Sequence, residues 1–132
     1  MILLDTSGYS AYRRGHAAIL ETLKKSAQIY LNPVVLGELH QGFRRGRRRA
    51  KNETELERFL ASGRVRLLDI TADTAGHYAS IVADLRAAGT PIPTNDIWIA
   101  ASAMQFGLTV VTTDGHFNHV PQIKTQHFSL HS

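Results

Sequence analysis

Cysteine is absent from the 132-residue sequence. Disulfides, thiolate zinc sites and thiol nucleophiles are therefore excluded, and the chain suits a reducing, cytoplasmic compartment. Long apolar runs are missing as well. No stretch approaches the roughly 20 residues that a membrane span needs, so no membrane association is expected. The opening Met1-Ile2-Leu3-Leu4 stops at Asp5. It has no basic leader and no cleavage-site pattern, and it reads as a first strand rather than a signal peptide. Acidic residues are scarce: 11 Asp and Glu stand against 15 Lys and Arg, a net charge of +4. That balance favours polyanionic partners such as nucleic acid. No internal repeat, low-complexity tract or linker divides the chain, so residues 1–132 are expected to form one domain. A hydrophobic fraction of 43% supplies an ordinary core.

What is present is an alternation of short apolar runs with longer helical patterns. Ile2 to Leu4, Ile29 to Leu31, Val65 to Leu68, Thr109 to Thr112 and Lys124 to Phe128 read as strands. Ala17 to Lys25 reads as a helix with Ile19, Leu20 and Leu23 on one face. Asn32-Pro33 is a helix start, because Asn caps and Pro fits a first turn that needs no N–H. Glu53 to Ala61 is a further helix. Thr71 caps a long one that Gly89 closes. After the loop Gly89-Thr90-Pro91-Ile92-Pro93, Thr94 or Asn95 opens another helix, which ends at Gly107. This order predicts an α/β fold with parallel strands and helices on both faces. In such sheets, sites lie beyond the carboxyl ends of the strands.

Four acidic residues occupy apolar surroundings where an unpaired charge is expensive. Asp5 follows the first strand, and Asp114 follows Thr109-Val110-Val111-Thr112-Thr113. Asp96 begins the helix Ile97-Trp98-Ile99-Ala100-Ala101, and Glu38 lies between Gly37 and Leu39. Each has a structural reading of its own. Asp5 and Asp114 suit turns after strands, Asp96 complements a helix dipole, and Glu38 suits an exposed helix face. Taken singly, these readings win. Parallel topology, however, can bring all four to one pole. Asp69 also follows a strand but reads as a connection into the Thr71 helix. Asp84, Glu53, Glu55 and Glu57 read as solvated helix charges. Carboxylates within a few ångströms of one another repel unless a cation is present. A hard divalent cation with oxygen ligands resolves the conflict and suits phosphodiester hydrolysis.

At these residues the sequence resembles a known family. Leu4-Asp5-Thr6-Ser7, Glu38-Leu39 followed by Gly42, Asn95-Asp96 with Ile99-Ala100-Ala101, and Thr112-Thr113-Asp114 with Phe117 together look like a PIN-domain ribonuclease of the VapC toxin type. The likeness keeps the motif order over nearly the whole chain. It implies a three-layer α/β/α fold with a central parallel sheet. It implies an acidic pocket of Asp5, Glu38, Asp96 and Asp114, in which Asp5 and Asp96 anchor Mg2+ or Mn2+. It also implies hydrolysis of RNA to 5′-phosphate and 3′-hydroxyl ends, homodimerisation, and inhibition by a cognate antitoxin protein. Thr6, Ser7, Asn95, Thr112 and Thr113 match positions beside that pocket and are candidate donors to its carboxylates.

Other features compete for attention. Arg44, Arg45, Arg47, Arg48, Arg49 and Lys51 form a basic run. Alone it reads as a solvated segment; beside a nuclease site it reads as an RNA-backbone contact. Of seven histidines, His116 and His119 flank Asp114 at loop spacing and read as surface residues, and the others form no ligand pattern. Tyr78 and Trp98 read as core or dimer-interface residues. Two rival functions remain. A phosphatase with an Asp5 nucleophile would want an acid where Ser7 stands. A non-catalytic nucleic-acid-binding or interaction module would have no use for clustered acids, which repel phosphate.

Overall fold

Five short strands carry the apolar runs: Ile2–Leu4 (β1), Ile29–Leu31 (β2), Val65–Leu67 (β3), Thr109–Thr112 (β4) and Lys124–His127 (β5). In the computed structural model, which describes residues 1–130, they form one sheet in the order β3-β2-β1-β4-β5. Every pairing is parallel. His131 lies outside the described residues. β1 is buried at all three positions, and Val110, Val111 and Thr112 of β4 are fully buried. Central strands of a parallel sheet are covered on both faces, which is why they read as unbroken apolar runs. The edge strand β5 is mostly exposed and polar, which suits an edge that must not recruit another chain.

Six helices connect the strands: Thr6–Arg13 (α1), Ala17–Lys25 (α2), Pro33–Arg45 (α3), Arg49–Ala61 (α4), Ala72–Ala88 (α5) and Thr94–Phe106 (α6). The three-layer α/β/α arrangement follows from handedness. Connections running from β1 toward β3 and the one running back to β4 must cross on opposite faces to stay right-handed. In keeping with this, α1 packs on α2, α3 on α4 and α5 on α6. Several helix ends are as the sequence predicts. The Asn32 side chain accepts from Val35 N–H at 3.1 Å, and its amide donates to Ser102 Oγ at 3.0 Å. Thr71 N–H donates to Thr74 Oγ1 at 3.0 Å. Gly89 and Gly107 end their helices in the left-handed conformation, where a Cβ is strained.

Three differences from the sequence reading matter. Helix α1 was not anticipated, because Thr6, Ser7 and Gly8 are weak helix formers; Asp5 supplies the missing start by accepting from Gly8 N–H at 2.7 Å. Helix α4 begins at Arg49 rather than Glu53, and Arg49 Nε donates to Glu53 across one turn at 2.8 Å. A 3-10 turn over Gly115–His119 follows β4, with Asp114 as its cap. Among the described residues, no helix is long and apolar enough to cross a membrane.

Candidate active site

Strand order places the site. The chain leaves β1 toward β2 and β3 on one side and returns to β4 on the other, so the carboxyl ends of β1 and β4 border a topological switch point. Leu4 pairs with Val111 in register. The next residues, Asp5 and Thr112, therefore meet above the sheet, and Thr112 Oγ1 donates to Asp5 Oδ2 at 2.6 Å. Ser7 Oγ donates to the same carboxylate, 2.9 Å from Oδ1 and 3.0 Å from Oδ2. Asp5 is 3% exposed. Burial pushes its pKa up to about 6, although the bonds from Thr112, Gly8 and Ser7 act against the rise; nearby Asp96 adds to it.

The other acids arrive from different elements. Asp96 stands in the first turn of α6 with its side chain 13% exposed. Burial raises its pKa, His116 opposes the rise, and the charges of Asp114 and Glu38 add to it. Asp114 caps the 3-10 turn by accepting from His116 N–H at 2.9 Å, and its own N–H donates to Thr112 Oγ1 at 2.8 Å. Glu38 reaches in from the middle of α3. Thr6 Oγ1 donates to one of its oxygens at 2.5 Å and Asn95 Nδ2 to the other at 3.3 Å. Asp96 links the acids: its charge helps raise Asp5, and the charges of Asp114 and Glu38 help raise Asp96 itself. Their local structural uses are real as well, since three of them sit at helix or turn N-termini, where the peptide dipoles favour an anion.

The remaining sequence candidates divide. Thr6, Ser7, Asn95 and Thr112 hold the carboxylates directly. Thr113 joins through its backbone N–H, which donates to Ser7 Oγ at 3.0 Å. Arg44, Arg45, Arg47, Arg48, Arg49 and Lys51 are all exposed around the α3–α4 junction. From Glu38 to Arg45 the path along α3 is about 10 Å, so the run is near the acids without touching them. Asp69 is exposed and outside the cluster. Tyr78 and Trp98 stack on each other between α5 and α6, their ring centroids 4.1 Å apart.

His116 is an exposed residue, as expected, but it also pairs with two of the acids. Its Nδ1 lies 2.8 Å from Asp96 Oδ2 and 3.0 Å from Asp114 Oδ1. Its two-residue offset from Asp114 was the only sequence signal, because its second partner is on α6. Among the described residues, His116 is the only ion-pair partner of the four acids; no Lys or Arg bridges them. Four carboxylates with one imidazole between them form a donor set with too little positive charge, which fits a hard divalent cation. Asp96, Asp114 and His116 can each turn one ligand atom toward a common point, all within 4.8 Å of one another.

Comparison with known proteins identifies the family. The PIN domain family matches residues 2–123. Ribonuclease VapC2 of Rickettsia felis is 30% identical over 105 residues, covering 79% of this chain and 77% of the relative. Plasmid stability protein StbB of Pseudomonas syringae pv. tomato is 36% identical over 124 residues, covering 86% and 88%. The crystal structure of VapBC2 from Rickettsia felis bound to a DNA fragment from their promoter superposes with a TM-score of 0.82 at 27% identity, over 96% of this chain and 98% of that one. With acidic residues gathered near the β1–β4 switch point and these matches spanning most of its length, the chain belongs to the PIN-domain family, and its relatives there include VapC ribonucleases.

Proposed function

We propose that residues 1–132 act as a single nuclease domain, an endoribonuclease that hydrolyses RNA phosphodiester bonds with Mg2+ or Mn2+ held by Asp5, Glu38, Asp96 and Asp114. The observation that carries this reading is the approach of Asp96, Asp114 and His116 within 4.8 Å of one another, with Asp5 and Glu38 close enough for their charges to interact with that of Asp96. A divalent cation held there would polarise the phosphate and lower the pKa of a bound water, so that the hydroxide it releases could attack phosphorus. The chain's own residues do the positioning. Ser7, Thr112 and Gly8 fix Asp5, while Thr6 and Asn95 fix Glu38. Arg44 to Lys51 provide a cationic approach for the RNA backbone. The phosphatase reading wants a second acid two residues after Asp5, where Ser7 instead donates to the Asp5 carboxylate.

VapBC2 of Rickettsia felis and VapBC of Salmonella typhimurium are solved bound to DNA, and VapBC-5 of Mycobacterium tuberculosis belongs to the VapBC family of toxin–antitoxin systems; by that likeness this chain acts as the toxin of such a pair, dimeric and silenced by a cognate antitoxin. A groove of about 890 Å³ flanked by α2 and α4, with Leu20, Leu23 and Phe59 in its lining, lies apart from the acids and offers a protein partner apolar surface.

The test is cleavage of total RNA by the purified chain with Mg2+, with Mn2+ and with a chelator, beside Asp5→Asn and Asp96→Asn. Cleavage should require the cation and fall on the order of a hundredfold or more in either variant. RNA binding that persists in the chelator, with no cleavage under any condition, would instead establish the non-catalytic module.

A further inference from the structure

The acidic pocket contains one ligand-competent atom that is not an oxygen. His116 Nδ1 lies 2.8 Å from Asp96 Oδ2 and 3.0 Å from Asp114 Oδ1. Bonds of about 2.1 Å to a six-coordinate cation separate neighbouring ligand atoms by about 3 Å; both nitrogen–oxygen distances match that spacing, which without a cation is also that of a hydrogen bond from the ring. The ring is not there for packing, because the His116 side chain is 46% exposed. It is held by its position: the 3-10 turn that Asp114 caps carries the His116 N–H onto Asp114 Oδ1 at 2.9 Å, and the turn aims the imidazole at α6.

Mg2+ and Ca2+ take oxygen ligands almost alone, whereas first-row ions also accept imidazole, Mn2+ weakly and Co2+ more strongly. On the reading of the four carboxylates as a divalent-cation site, we propose that His116 Nδ1 is a direct ligand that shifts the preference of the pocket from Mg2+ toward Mn2+ and Co2+. The four acids provide the affinity for a doubly charged ion, and the single nitrogen discriminates among such ions. Mg2+ dehydrates reluctantly and takes oxygen, so it gains little from the ring.

The test loads the full chain, without RNA, with Mn2+ and looks for nitrogen hyperfine coupling by pulsed electron paramagnetic resonance. Competition titrations then measure Mn2+ and Mg2+ affinities. The wild-type protein and His119→Ala should show the coupling, and His116→Gln and His116→Ala should lose it. His116→Gln should weaken Mn2+ binding about tenfold or more while Mg2+ binding stays within about twofold. Asp96→Asn serves as control for the underlying pocket. If it abolishes Mn2+ binding while the wild type shows no nitrogen coupling, or while His116→Gln binds Mn2+ as tightly as wild type, the cation site stands and the role given to His116 is overturned. If Mn2+ binding is indifferent to Asp96→Asn, the pocket reading fails and the ligand role of His116 fails with it.

Discussion

Burying the Asp5 carboxylate costs the cation-free protein stability, and that cost has a definite direction in pH. The folded pKa of about 6 lies above the ordinary 3.8. Below the lower value both folded and unfolded chains carry the proton, and no penalty applies. As pH rises through about 6 the folded chain must hold a buried anion, so stability is lost, by about 3 kcal/mol for a shift of about two units. Asp96 is raised too and works in the same direction. Asp5→Asn has no such charge. In chelator at pH 8 it should resist urea better than wild type, by up to about 3 kcal/mol, and the gap should close by pH 4. A wild-type midpoint at or above that of the variant at pH 8 would contradict the assignment. The acids themselves were legible in the chain, because charge set in apolar surroundings demands a reason. The role of His116 was not, because one of its two partners belongs to a helix twenty residues away.

Helix α1 sets the position of Asp5, and Gly8 sets the position of α1. A Cβ at Gly8 would lie 2.6 Å from Val111 O and 2.8 Å from Leu4 Cδ1. The first of these is sheet backbone and cannot rotate away. Gly8→Ala should therefore lift the first turn of α1 off β1 and β4, costing about 2 kcal/mol and lowering the melting temperature. Gly37→Ala, whose Cβ would meet nothing within 4 Å on an exposed face of α3, should be neutral or stabilise by up to about 1 kcal/mol. Thermal melts of both variants check this, and equal melting temperatures would show that the first turn has room. Periodicity revealed α2, α3, α5 and α6, whose apolar positions recur at helical spacing or whose ends carry strong caps. It missed α1, because Thr6-Ser7-Gly8 disfavours helix locally. The helix exists because Asp5 caps it and because Tyr9 and Ala11 are buried.

At the scale of the molecule, charge is divided between an acidic pole and a basic tip. Clustered acids on their own repel RNA, so the proposed function needs the backbone held elsewhere, and the exposed basic run at the α3–α4 junction is its candidate. With Asp96→Asn as a non-cleaving background, replacing Arg44, Arg45 and Arg47 by Ala should reduce the slope of log affinity against log salt for single-stranded RNA by about 2, at about 0.7 per lost contact. An unchanged slope would mean that these side chains are only solvated.

The sequence by itself determined the parallel α/β class and most of the element boundaries, and it pointed to four acids set in apolar surroundings as candidates. These follow from local rules: apolar period, capping chemistry and the cost of placing charge among apolar residues. Only the tertiary structure decided that β1 and β4 are neighbours, that Thr112 therefore reaches Asp5, and that His116 comes between Asp96 and Asp114. The physical reason is that strand order and register arise from the packing of all layers at once, and no window of neighbouring residues contains that information.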